Sequence, residues 1–391
     1  MGNVKFFRST DYGAPQLYGN AGYLIGVLDA CLVNGYGVQA ISTLTHDNNI
    51  VTAVTSVAHG ISQYSRQTIS GANESGYNGE FVVNIIDTYS FYYTTSGISV
   101  SPATGTLSTK SESAGWTKPF SGTNLAAYRP AAGPRHFLRI DDTVTMASRC
   151  IGYENMTAVS TGTGPFPTSA QVTGGLYWQK TNVADAISSR SWIIIADDRT
   201  MYMWVQYAVS NNYDGFSMTG FGEFTSYKSG DAYNTFISAN TGASSYQHMY
   251  FMYLNSTISA ILNNALFAFY VARPHTQIGS SVACGKLGDY SKSTQNSMGS
   301  ATVGNLPYPH PVDGGLHMCA VYIGEGAGTA AQAIVRGYMR GIWNPLHAMP
   351  LNDEDIFDGN GDLAGKKFIA LNGCGTQTNL SQCMFDISLT W

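Results

Sequence analysis

The runs Val51-Thr-Ala-Val-Thr, Ala58-His-Gly-Ile, Ile69-Ser-Gly-Ala, Tyr77-Asn-Gly-Glu-Phe-Val-Val, Ser90-Phe-Tyr-Tyr and Ala103-Thr-Gly-Thr-Leu decide the fold class of this chain. Each is short, and each either alternates apolar with polar residues or is β-branched and aromatic. Gly, Asn or Ser closes each one. That is the signature of strand, turn and strand at regular spacing. Residues 38–110 therefore read as a complete small β-module, flanked on both sides by a different kind of sequence.

Before this stretch, residues 20–33 place Leu24, Ile25, Val27, Leu28, Cys31 and Leu32 at three- and four-residue intervals, and Asn34-Gly35 follows as a stop. The spacing predicts one amphipathic helix able to dock on a sheet. Residues 1–18 read as extended, with a turn at Gly13-Ala-Pro. After the module, strands dominate again. Ser191-Trp-Ile-Ile-Ile-Ala and Met201-Tyr-Met-Trp-Val-Gln-Tyr-Ala flank the polar turn Asp197-Asp-Arg-Thr and predict a hairpin. Further strands are expected at 136–141, 247–254, 266–272, 316–323, 331–336 and 367–371. The Gly-, Ser-, Thr- and Asn-rich tracts at 160–169 and 285–304 read as long surface loops or contact arms. No repeat of solenoid or propeller period is visible.

At 391 residues the chain is long enough for more than one substructure. Only 12% of residues are charged, about half the usual share, while Gly reaches 43 and Tyr 25. Such a composition suits a β-rich body with much polar and aromatic surface, and equally a β protein whose turns need Gly and Asn. The net charge of −5 carries no Lys/Arg run, which excludes the basic stripe of a nucleic-acid-tracking protein. No signal peptide is expected, because the first residues lack an apolar core segment. The apolar patches at 24–33 and 258–271 are too short or interrupted to span a bilayer. The six cysteines show no C-x-x-C spacing, which argues against a zinc ribbon or redox motif. Cys31 reads as a buried thiol; Cys374 and Cys383 are nine apart and stay open between a disulfide and two thiols.

Candidate chemistry is sparse. Gly324-Glu-Gly-Ala-Gly-Thr-Ala lacks the Gly-Lys-Ser/Thr end of a phosphate loop, so it reads as a turn. Asp358, Asn360 and Asp362 have the 1-3-5 spacing of a calcium loop, but Leu363 and Ile369 stand where its Gly and Glu belong. A solvated turn is the favoured reading there, with a loose Ca²⁺ site left open. His310, Asp313 and His317 are metal-ligating types, but across Pro311 and Gly314-Gly315 their spacing fits no helical site. Asp141, Asp142, Glu223 and Glu325 are the acids from which a glycosidase pair would be drawn. Trp178, Trp192, Trp204 and Tyr207 are the aromatics of a sugar platform, although strand spacing favours core. There is no nucleophile elbow. No catalytic, cofactor-binding or metal residue is assigned, and no cofactor is expected.

The module pattern H-G-I, I-S-G-A, Y-N-G-x-F-x-V, F-x-Y and A-T-G-T resembles the immunoglobulin-like modules embedded in many bacteriophage virion proteins. Outside it, residues 13–37, residues 114–129 with their continuation through 138–142, 152–156 and 161–167, and residues 336–351 resemble a family of tailed-phage virion structural proteins. The resemblance spans the chain from end to end, and its motifs are turn glycines, prolines and packed aromatics. It implies a virion component, assembled in the host cytoplasm, and transfers no catalytic residue. The resulting expectation is a mainly β chain: a β-sandwich-type body carrying one N-terminal amphipathic helix and an inserted small immunoglobulin-like β-sandwich. Residues 1–37 and 111–391 form the body and 38–110 the insertion. Expected partners are copies of the chain itself and other virion proteins at a neck, collar or tail tip. Capsid decoration and binding of a host cell-surface glycan are the alternatives, with no direct nucleic-acid contact and no membrane span.

Overall fold

The computed structural model describes residues 2–207, 216–240, 242, 267–287, 307–325, 334–347, 351–373 and 381–391. The chain is mainly β, built from large antiparallel sheets. The expected strand at 247–254, most of the tract at 285–304 and Cys374 lie outside the described residues.

The centre of the body is the hairpin of Trp192–Ala196 and Thr200–Gln206. Its two runs are apolar at nearly every position, as strands buried on both faces must be. Trp192, Ile194, Ala196, Met201, Met203 and Val205 point into one apolar core. Ile193, Ile195, Tyr202 and Trp204 point into another. The turn is organised by Asp197, whose Oδ1 accepts the N–H groups of Arg199 (2.8 Å) and Thr200 (2.7 Å). Lys5–Arg8 pairs along one side of the hairpin. On the other side Phe216–Glu223, Thr235–Asn240, Phe267–Val271, Val282–Leu287, Met318–Glu325 and Ile334–Pro345 follow one another in antiparallel register. Ser381–Asp386, Lys367–Gly373 and Ile356–Asp358 complete that ribbon.

The first core is closed by the helical segment, which runs α-helical over Tyr23–Leu28 and then widens over Asp29–Asn34. Leu24, Val27, Leu28, Cys31 and Leu32 are fully buried. Gly35, at φ +68°, ends the segment where the sequence placed its stop. The segment's N-terminus is capped from far away in sequence. Asp142 Oδ2 accepts the Leu24 N–H (2.9 Å), while its Oδ1 accepts from Ser148 (2.6 Å) and pairs with the wholly buried Lys180. Thr161–Phe166 is a correction: it is a strand paired with Ala147–Ala158, not a loop. Its Gly, Thr and Pro content hid this, because the pairing partner rather than propensity sets the conformation.

Residues 36–111 form a separate seven-stranded antiparallel sheet. Tyr36–Asp47 serves both of its halves, pairing first with Gly105–Ser111 and then, past an irregularity in register, with Ile50–Thr55. Arg66–Ala72, Gly79–Val82, Asn84–Ile85 and Ser90–Thr94 supply the rest. Ile41, Leu44, Val51, Ile69, Tyr77, Phe91, Tyr93 and Leu107 meet in an apolar cluster drawn from this stretch alone. Tyr36 and Ser111 lie opposite each other in one ladder, so the chain enters and leaves the unit side by side.

Candidate functional site

Two features position polar chemistry on the body. The first is the strand Ile334–Pro345, whose ladder is irregular at Arg336 and from which Arg336 and Arg340 each reach a pair of carboxylates. Arg340 reaches Asp197 (2.7 Å) and Glu223 (3.1 Å), and Glu223 also accepts from Arg199 (2.9 Å). Burial pushes the Asp197 carboxyl up, against the opposing pull of Arg340. Arg336 reaches Asp231 (2.7 Å) and Glu325 (2.9 Å), and Glu325 accepts the His275 N–H. A polar cleft of about 420 Å³ opens along this seam, lined by Arg199, Glu223, Asp231, Arg340 and Trp391 among others. A second cleft of about 560 Å³ shares Arg340 and Trp391 and is lined by Tyr227, Tyr322, Tyr338 and Trp343. Tyr227 is 61% exposed.

The acids singled out in the sequence do not assemble into an acid–base pair. Asp142 is engaged by Lys180 and the helix N-terminus, Glu223 by two arginines, and Glu325 by Arg336 and His275. Partial burial raises Asp141, but hydrogen bonds from Thr143 and Arg139 outweigh it and hold the carboxyl below its ordinary range. A glycosidase needs two carboxyl groups facing one open sugar site; each of these is paired with a cation instead, Asp141 with Arg139 at the surface and Glu223 with two arginines on the wall of the polar cleft. Trp178, Trp192, Trp204 and Tyr207 are buried, and the three indole N–H groups donate to the carbonyls of Ser238, Pro15 and Asn372. They are core. The aromatic cleft lined by Tyr227, Tyr338 and Trp391 was not legible, because its walls come from segments distant in sequence.

The calcium-like spacing is used otherwise. Asp358 pairs with Lys367 (2.6 Å), and the Asn360 amide, once turned so that its nitrogen faces the Leu316 carbonyl, bonds both main-chain groups of Leu316. Gly324 and Glu325 continue a strand, and the rest of that glycine-rich stretch lies outside the described residues. Cys383 Sγ packs against the Leu371 carbonyl. His310, Asp313 and His317, by contrast, are brought together. His310 Nδ1 lies 3.0 Å and His317 Nε2 3.1 Å from the Asp313 carboxylate.

The second polar feature is the joint between the seven-stranded unit and the body. Asp11 accepts from Arg8 N (2.9 Å), from the Tyr36 hydroxyl (2.8 Å) and from Ser62. Arg66 donates to the Val4 carbonyl (3.0 Å) and pairs with Glu80 (3.3 Å), which also takes Lys5 and Asn3. Lys5 and Arg66 are buried here.

No protein-family model matches the sequence, and no curated protein matches it. Among solved structures the chain aligns with the phage phi92 endosialidase at 8% identity and a TM-score of 0.17, covering 90% of this chain and 52% of that one. The chain thus spans about half the length of that protein, and so loose a superposition carries no argument about fold or activity. Among the described residues no helix is long and apolar enough to cross a membrane.

Proposed function

We propose that this chain is a non-catalytic structural subunit of a tailed-phage particle, present in several copies at the neck, collar or tail tip. Residues 38–110 are an inserted immunoglobulin-like β-sandwich, and residues 1–37 and 111–391 together make a β-sandwich-type body. The observation that carries the reading is the joint. A unit with its own apolar cluster enters and leaves the body through the paired residues Tyr36 and Ser111, as an appended module does. The sequence resemblance to phage virion proteins supplies the setting. Commitment of the candidate acids to internal salt bridges supports an assembly role over hydrolysis. Quantitative mass spectrometry of purified particles tests it. A small number of copies per portal ring is expected. Hundreds would make the chain a capsid decoration, and its absence from particles would overturn the virion reading.

The aromatic cleft favours a second reading, a tail protein that binds a host-surface glycan. Exposed Tyr227 beside Tyr338 and Trp391 offers the stacking surface a sugar ring uses. A glycan-binding screen comparing the wild type with Tyr227→Ala decides it: binding that this substitution abolishes supports the reading, and no binding removes it.

A further inference from the structure

The segment at residues 307–317 is where three metal-ligating side chains converge among the described residues. His310 and His317 flank Asp313, with the imidazole centroids 4.7 Å apart and the rings near perpendicular. The three donor atoms lie within 4.8 Å of one another. An ion bound tetrahedrally at about 2.0–2.1 Å holds its ligand atoms roughly 3.4 Å apart. His310 Nδ1 and His317 Nε2 lie 3.0 and 3.4 Å from the one oxygen Asp313 Oδ1, within small side-chain adjustments of a coordination shell.

We propose that His310, Asp313 and His317 form a binding site for a divalent transition-metal ion of the zinc class. The backbone builds the site without a helix. Gly314 N donates to the His310 carbonyl (2.7 Å), and Gly315 N donates to Asp313 Oδ1 (2.9 Å). Gly314, at φ +69°, permits the reversal that brings residues three and four apart onto one ion. His347 stands behind as a positioning residue. Its Nε2 accepts the His317 backbone N–H (2.8 Å), and its Nδ1 lies 3.0 Å from the Pro307 carbonyl. That arrangement fixes one neutral tautomer and ties the segment to the end of the Ile334–Pro345 strand. Two imidazole nitrogens with a single carboxylate suit zinc and its neighbours, whereas calcium and magnesium demand oxygen shells. All three side chains are partly exposed, so the ion enters from solvent and its remaining positions face outward.

The test uses untagged, chelator-treated protein titrated with Zn²⁺ alone by calorimetry and with Co²⁺ alone by visible absorption. One saturable site per chain is expected, with a tetrahedral cobalt spectrum. His310→Ala and His317→Ala should each weaken binding at least about tenfold, while Asp358→Asn/Asp362→Asn leaves it unchanged. No saturable binding by the wild type at micromolar metal overturns the proposal. So does binding that survives both histidine substitutions, or binding that the Asp358/Asp362 variant removes. If His317→Ala lowers the melting temperature of the metal-free chain, the partly exposed His310→Ala decides.

Discussion

Lys180 and Asp142 form an ion pair with neither side chain open to solvent, and the same carboxylate caps the helix at Leu24. Lys180 also donates to the carbonyls of Asn20 (2.7 Å) and Val144 (3.0 Å), so the ammonium is saturated. Removing one partner alone strands a buried charge. Lys180→Met is expected to cost about 3–5 kcal/mol in denaturant unfolding. The double variant Lys180→Met/Asp142→Asn should recover part of that, because it removes both charges. A double variant no better than the single would show that packing, not charge, dominates the site.

The helix offers a pair of opposite predictions. Leu28 is wholly buried, so Leu28→Asp places an unpaired charge in the first core and should destabilise the fold by several kcal/mol. An unchanged melting temperature would refute the burial. Gly26 sits on the exposed side of the same helix, where an added Cβ meets nothing within 4 Å. Gly26→Ala should therefore stabilise by about 0.5–1 kcal/mol.

Two titratable groups, the buried His136 and the partly buried Asp353, oppose each other in acid. Burial pushes His136 from 6.5 down to about 4. The folded state then binds fewer protons than the unfolded one across that window, and stability falls as pH drops through it. Asp353 goes the other way, from 3.8 up to about 6, through burial and the neighbouring Glu354 against a hydrogen bond from Asn372. The folded state binds more protons there, so stability rises as pH falls from about 6 toward 3.8. Each term amounts to roughly 3 kcal/mol at most. Between pH 6 and 4 they offset, and Asp353→Asn should unmask the loss due to His136. Denaturation midpoints should drop more steeply in the variant than in the wild type, and parallel curves would sink the assignment.

Joining Gly37 to Ser111 through a short Gly/Ser linker deletes the seven-stranded unit. The joint covers the polar groups Lys5 and Asp11, which gain water when uncovered, and its apolar share is the packing of Tyr64 on the second core. The shortened chain should remain soluble and cooperative in thermal melts. An insoluble body would mean that the unit is part of one core rather than an insertion.

Much of this architecture was legible because burial wrote itself into residue pattern. The apolar runs around Asp197–Thr200 read as a hairpin, and the three- and four-residue spacing from Leu24 to Leu32 reads as one amphipathic helix able to dock on a sheet. What escaped depended on partners elsewhere. Thr161–Phe166 is a strand because Ala147–Ala158 pairs with it, and nothing in its own Gly- and Thr-rich composition says so. His310 and His317 converge because Gly314-Gly315 reverses the chain, a geometry that spacing rules built on helices do not contain. The clefts beside Trp391 join residues from segments distant in sequence, so no local motif marks them.

The pairing of Tyr36 with Ser111 has a wider consequence. Residues facing each other across an antiparallel ladder stand only about 4.5–5.5 Å apart, so the body asks very little of whatever hangs between them. On the proposed insertion, a domain put in its place needs two ends that meet at that spacing, an anion for Lys5 and hydroxyls for Asp11. A replacement domain would also have to supply the packing that Tyr64 gives the second core and the ring that Lys367 covers.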